Sequence, residues 1–319
     1  MKTLDDLKEF YDTSLILALR DLEGSRKKIV DNMAYWMGGA CILVAALLIF
    51  TGHPGALILL PFLLLAIYGI VFYTSGRNYT SDFKARVIKE IVKFIDPGLN
   101  YESNRFIPQD VYMGSQIFKM NPDRYKGDDY VSGKIGATGI EFSELHSEYK
   151  TEHVDSKGHH HTQWHTIFKG IFFTADFNKD FRGRTVVLPD TAEKLFGFLG
   201  SALQSMNVAR GELIKMEDPE FEKLFVVYGD DQVESRYVLS TSLMKRISDF
   251  KNKSKRKVFL SFVRSRIFVA IEYTQDIFEP RLFKTLLDFA PIQEYFEHFE
   301  LVLGLVDDLN LNTRIWSKQ

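Results

Sequence analysis

The chain has 319 residues, with 40 Lys and Arg against 42 Asp and Glu and a formal net charge of −2. That near balance argues against wholesale nucleic-acid binding, and a single cysteine, Cys41, excludes an internal disulfide framework. The 27 phenylalanines are enough to fill a packed core, which excludes a chain disordered throughout.

Residues 1–31 read as a cytoplasmic amphipathic helix, because Leu4, Leu7, Phe10, Tyr11, Leu15, Ala18, Leu22 and Ile29 recur at three-to-four spacing. Between Asp31 and Arg77 there is no Asp, Glu, Lys or Arg. Two apolar runs, Met33 to Phe50 and Ala56 to Tyr73, flank the short turn Thr51-Gly52-His53-Pro54-Gly55. Each run spans about 27 Å as a helix, close to the hydrocarbon thickness of a bilayer. Residues 32–76 therefore predict a transmembrane helical hairpin; a buried helical hairpin in a soluble core is the competing reading. Gly38, Gly39 and Gly69 offer small surfaces for close packing, and Pro61 predicts a kink in the second helix. Tyr35 and Trp36, with Tyr68, Phe72 and Tyr73, suit an interfacial belt. Arg20, Arg26, Lys27 and Lys28 precede the hairpin, and Arg77, Lys84, Arg86 and Lys89 follow it. The positive-inside rule then places both termini in the cytoplasm.

Residues 77–98 form a cytoplasmic stalk. Its helix, Asp82 to Ile95, carries Phe83, Val87, Ile91 and Phe94 on one stripe and stops at Asp96-Pro97-Gly98. This stripe and that of residues 1–31 either pair with each other or pack separately on the remaining domain. Residues 99–319 predict one cytoplasmic domain. Strands are expected over Tyr130 to Ile135, Gly139 to Tyr149, Gln163 to Phe177, Arg184 to Leu188, Val208 to Met216 and Phe225 to Tyr228. Lys257 to Val263 and Arg266 to Tyr273 read as a hairpin. Helices are expected over Thr191 to Met206, from Asp218-Pro219, over Thr241 to Asn252, and near Pro280 to Phe289 and Ile292 to Asp308. Strands and helices come in groups, so the fold class is α+β with a mixed, mostly antiparallel sheet. An echo between the starts of 125–190 and 225–275 raises a duplicated β-rich unit.

His153, His159, His160, His161 and His165 cluster where a hairpin turn is expected. Imidazoles are common zinc and copper ligands, which makes His153, His159, His161 and His165 the candidates for a metal. Consecutive histidines on a solvated loop do not aim at one ion, so no metal site is assigned and no cofactor is expected. Glu144 and Glu148 share one strand face, read as the solvent side. The pairs Asp128/Asp129 and Asp230/Asp231 sit beside glycines and read as turn residues. The densest cationic stretch, Lys251, Lys253, Lys255, Arg256 and Lys257, is the candidate lipid-contacting patch, against a plain solvated helix end. Phosphate-binding loops, nucleophile elbows and HExxH patterns are absent from the sequence.

The block from Phe168 to Lys179, running to Phe181-Arg182-Gly183-Arg184-Thr185-Val186-Val187-Leu188-Pro189-Asp190, and a second block from Glu217 to Tyr237, resemble a bacterial membrane family catalogued as domain of unknown function 3137. The resemblance implies a multi-pass protein of the bacterial inner membrane with a cytoplasmic domain, and a LemA-type membrane protein as a partner. It carries no catalytic residue. The leading expectation is a membrane-anchored interaction module, not an enzyme, that binds a protein partner or lipid headgroups, with a homo-oligomer left open. The alternative is an enzyme acting on a membrane-associated substrate through the histidines and carboxylates of 141–165. An enclosed pocket where His146 or His165 meets buried carboxylates would favour that alternative. Phe172, Phe173, Phe177 and Phe181 are expected in the core.

Overall fold

Thr3 opens the first helix: its side chain accepts the Asp6 N–H, and Asp6 accepts the Thr3 N–H in return. The computed structural model describes residues 2–52, 55–154, 158, 160–177, 179–190 and 211–312. These divide into two compact units, one of residues 1–95 with 278–297 and one of residues 96–277 with 298–319.

In the first unit, α1 (Leu4–Phe10) passes through a π-helical turn into α2 (Ile16–Thr51). Then α3 (Ala56–Val71), α4 (Arg77–Phe83) and α5 (Lys89–Ile95) follow, again joined by π-helical turns. Phe10 stacks on Phe94 at 4.4 Å, and Arg86 pairs with Asp21 at 2.9 Å. The two stripes meet each other and both also pack on the segment 278–297, Tyr11 against Phe289 at 5.4 Å and Phe83 against Tyr295 at 5.7 Å, so neither reading alone describes them. Among the described residues two helices, within Leu4–Thr51 and Leu60–Ile95, are long and apolar enough to cross a membrane. Their apolar side chains, among them Ile42, Ile49, Phe50, Ile58, Phe62 and Leu65, are exposed, unlike those of a soluble core helix. Pro61 sits inside α3. A Cβ built on Gly38, Gly39 or Gly69 would meet nothing within 4 Å, so these glycines make no close helix contact within the described chain.

The segment 278–297 belongs to the same unit. Glu23 takes two bonds from Arg26, at 2.7 and 2.8 Å, and a third from the Leu286 N–H at 3.0 Å. Arg26 also donates to the Leu282 carbonyl at 2.8 Å. The helix expected near Pro280 to Phe289 is instead a run of turns. Its backbone groups at Leu282 and Leu286 bond to α2 side chains, which satisfies them without helical geometry. The following helix, α10 (Phe289–Leu303), starts only at Phe289.

Among the described residues of the second unit, nine strands form one antiparallel sheet in the order β1-β2-β3-β4-β9-β8-β5-β7-β6. They are β1 (Asn100–Glu102), β2 (Arg124–Ile135), β3 (Thr138–Val154), β4 (His160–Asp176), β5 (Arg184–Pro189), β6 (Glu212–Ile214), β7 (Phe225–Gly229), β8 (Val258–Val263) and β9 (Arg266–Glu272). Between them lie α6 (Gln109–Gly114), α7 (Pro219–Leu224), α8 (Gln232–Val238) and α9 (Thr241–Ser254), with α11 (Leu305–Asp308) at the end. Asp218 caps α7 and Asp231 caps α8, each accepting backbone N–H groups. The helix expected over Thr191 to Met206 lies outside the described residues.

Period-two alternation splits β3 between two faces. Ser143, Leu145 and Ser147 meet α6 and its flanks: Ser143 accepts the Ile107 N–H, and the Ser147 and Tyr112 hydroxyls bond at 2.8 Å. Tyr112, Phe118, Phe168, Phe172 and Phe259 fill that side of the core. Phe142 faces the other way, against Phe299 at 6.2 Å. Phe172, Phe173, Phe177 and Phe181 are all buried, as expected. Gly170 has φ +146, and a Cβ there would lie 2.1 Å from the Ile271 carbonyl oxygen, so only glycine lets β4 approach β9. The β3–β4 ladder runs out to Val154 opposite His160, past the last β2 and β9 pairings at Glu148 and Gly170. Its tip is therefore a two-stranded arm.

The suggested duplication does not appear in the fold. Residues 125–190 hold β2 to β5 in succession, whereas 225–275 hold β7, α8, α9, β8 and β9. The shared Gly-Asp-Asp letters do different work, in a strand in one case and at a helix cap in the other.

Candidate functional site

A cavity of about 340 Å³ opens on the Phe142 face of the sheet, lined by Lys126, Asp128, Glu144, His146, Lys169 and Asp276 together with Gly127 and Leu145. That volume is near the lower end of ligand pockets, roughly 300–1,000 Å³. Glu144 and His146 reach it because they are two apart on β3 and share the face of Phe142. Phe299 covers Phe142, and the chain around Ile277 covers Glu144.

Glu144 is 4% exposed. The Ile277 N–H donates to its Oε2 at 3.3 Å, while Oε1 is buried with no hydrogen-bond partner among the described residues. Burial first, then the charges of Asp129, Asp128 and Asp276, push its carboxyl up to about 9, against the pull of the Ile277 N–H. The group is therefore protonated at neutral pH. This overturns the expectation that Glu144 faces solvent: the strand alternates as expected, but both faces of this central strand are covered.

Asp128 and Asp129 also differ from their expected turn. They lie within β2 where its register to β3 slips, between Asp128 and Val131. Asp129 takes φ +55 at this bulge and is buried, accepting the Tyr101 hydroxyl. Gly127 has the backbone of β3 close by, since a Cβ there would lie 2.3 Å from the Glu144 carbonyl oxygen. Asp230 and Asp231 do act as turn and cap residues, Asp230 accepting from Arg184 at 3.0 Å and Asp231 from the Glu234 N–H at 2.8 Å.

His146 is held below the ordinary imidazole range, by burial first and by Lys126 and Lys169 less strongly, with Glu148 opposing. Its Nε2 lies 3.4 Å from the Thr166 hydroxyl and 3.7 Å from Glu148 Oε1. Lys169 pairs with Asp276 at 2.9 Å. The arrangement thus has one neutral, deeply buried carboxyl, a neutral imidazole and charges of both signs nearer the surface.

The other candidates lie elsewhere. His153 and His161 oppose each other on the arm, both exposed. His165 stacks on Tyr149 at 4.9 Å and bonds the Thr151 hydroxyl at 2.9 Å. His159 lies outside the described residues. In the cationic stretch, Lys253 pairs with Asp308 and Lys257 with Glu272, each at 2.8 Å, and Arg256 lies 3.7 Å over the Tyr273 ring. Lys255 takes the left-handed conformation that ends α9, its N–H returning to the Lys251 carbonyl.

Residues 166–311 match the family described as "Protein of unknown function (DUF3137)", which bears out the resemblance read from the sequence over that segment. No curated protein matches the chain. A crystal structure of the mycobacterial trehalose monomycolate transport factor A, TtfA, aligns with 69% of this chain and 96% of that one, at 7% identity and a TM-score of 0.32. At those values the likeness carries no argument.

Proposed function

Taking the segment 166–311 as a DUF3137 domain, we propose that the chain is a membrane-anchored binding module of the bacterial inner membrane. The α2–α3 pair spans the bilayer as a hairpin with both termini in the cytoplasm, and the sheet unit offers its polar cavity to a ligand. The observation that carries the anchor is the exposed apolar surface of both helices, since water would penalise those side chains at about 25 cal/mol per Å². Arg20, Lys27 and Lys28 before the apolar stretch, and Arg77 and Lys89 after it, support the orientation. Alkaline extraction of membranes tests the anchor. Retention in the pellet is expected, and release with peripheral proteins would overturn it.

A protein partner, a LemA-type membrane protein or a second copy of the chain included, remains part of this proposal. So does lipid contact by Lys251 and Lys255, whose neighbours Lys253, Arg256 and Lys257 are already engaged. One observation favours the alternative, an enzyme acting on a membrane-associated substrate. His146, held neutral, stands beside the protonated Glu144 in one cavity, a base and an acid whose environments set them apart. Turnover of a membrane-derived substrate that is lost in His146→Ala would establish that reading over simple binding.

A further inference from the structure

The cavity is chemically polarised. Its most deeply buried polar group is Glu144, whose Oε1 has no donor among the described residues. In the unliganded protein the proton of the neutral carboxyl sits on this oxygen; a cationic donor seated there displaces that proton to solvent and leaves a charge-assisted hydrogen bond in its place. Asp128, Asp129 and Asp276 add negative potential at that carboxyl, so a positively charged donor is favoured over a neutral one. A divalent metal needs several ligand atoms converging on one point; among the described residues such a group includes Asp128 and Asp129 but not Glu144. An ammonium needs only one strong acceptor and a negative field. Nearer the surface, exposed Lys126 and half-buried Lys169 line the same cavity and supply the opposite charge. A ligand with a single positive charge would leave Lys126 without a ligand contact and Lys169 held only by Asp276.

We propose that the cavity binds a small zwitterion, seating a primary ammonium group on Glu144 and a nearby anionic group between Lys126 and Lys169. This rests on the cavity being a ligand site. Phosphoethanolamine has this chemistry, and it occurs both as a free metabolite and as a lipid headgroup.

Calorimetric titration of the full chain in detergent tests the proposal, using O-phosphoethanolamine, O-phosphocholine and inorganic phosphate as probes. O-phosphoethanolamine is expected to bind, and O-phosphocholine, whose three methyls replace the N–H donors, at least tenfold more weakly. Glu144→Gln and, separately, Lys169→Ala are each expected to weaken O-phosphoethanolamine at least tenfold, with the fold checked by circular dichroism. Reconstitution in phosphatidylglycerol vesicles with or without phosphatidylethanolamine then identifies the source. Competition by the lipid assigns the headgroup, its absence assigns the free compound, and either result upholds the site. Equal binding of O-phosphocholine or inorganic phosphate would overturn the ammonium assignment while leaving the cavity a binding site. No binding of any probe would overturn both.

Discussion

Replacing Glu144 with Gln should change how stability depends on pH more than it changes the fold. The ordinary value for this carboxyl is 4.5, and burial with three neighbouring aspartates raises it to about 9. Between those values the folded protein holds a proton that the unfolded chain releases. The stability this group contributes is therefore fully present below pH 4.5 and is lost as pH rises through 9. The slope is about 1.4 kcal/mol per pH unit, or about 3 kcal/mol between pH 6 and pH 8. Gln keeps the shape and does not titrate. The other groups around Glu144, namely Asp128, Asp129, Lys126, His146, Lys169, Tyr273 and Asp276, remain in both proteins. Their contributions cancel when variant and wild type are compared. Thermal unfolding in detergent, followed by near-ultraviolet circular dichroism at pH 6, 7 and 8, reads the effect. The wild type should lose about 5–10 °C relative to the variant across that range, at about 2–4 °C per kcal/mol. Parallel curves would show that Glu144 is ionised in the folded state and would refute the reasoning.

Gly170→Ala should destabilise the sheet unit by about 3 kcal/mol or more, because the added Cβ meets the Ile271 carbonyl and φ is +146; chemical denaturation measures it, and a neutral substitution would contradict the close strand approach. Glu23→Ala strands Arg26 and the Leu286 N–H, and should cost about 3–5 kcal/mol. Hydrogen exchange at Leu286 should accelerate in that variant, and unchanged protection would show that the contact carries no weight. Asp218→Ala removes the acceptor for two N–H groups at the start of α7 and should cost about 1 kcal/mol, readable as a lower denaturation midpoint.

Much of the fold was legible because its signals are local. The apolar runs, the Asp218 cap, the Asp-Pro-Gly stop and the β8–β9 hairpin each announce themselves within a few residues. What was not legible depends on distant parts of the chain. Nothing near Pro280 reveals that Leu282 and Leu286 bond to Arg26 and Glu23 and so do not form a helix. Likewise, the letters around Glu144 show only an alternating strand. Its burial, set by the chain at Ile277 more than a hundred residues away, is what chiefly raises its carboxyl, with the inward-turned Asp129 at the bulge adding to it. The bulge leaves one faint signal, two aspartates beside a glycine in a strand-like run, and the same letters also suit a turn. The histidine cluster, by contrast, drew attention through composition alone. Its described members all lie on the β3–β4 arm, His153 and His161 opposed and exposed, His165 stacked on Tyr149 nearer its base.

The membrane anchor is the claim on which the proposed function stands, and Cys41 tests it directly. It is the only cysteine in the chain, and it lies exposed on α2 within the uncharged stretch. Sealed membranes containing the full chain would be treated with a water-soluble maleimide, before and after denaturing solubilisation. The account predicts that Cys41 resists modification in the membrane, where lipid excludes the reagent, and reacts fully once solubilised. Rapid modification in intact membranes would mean that α2 meets water, and would contradict the anchor.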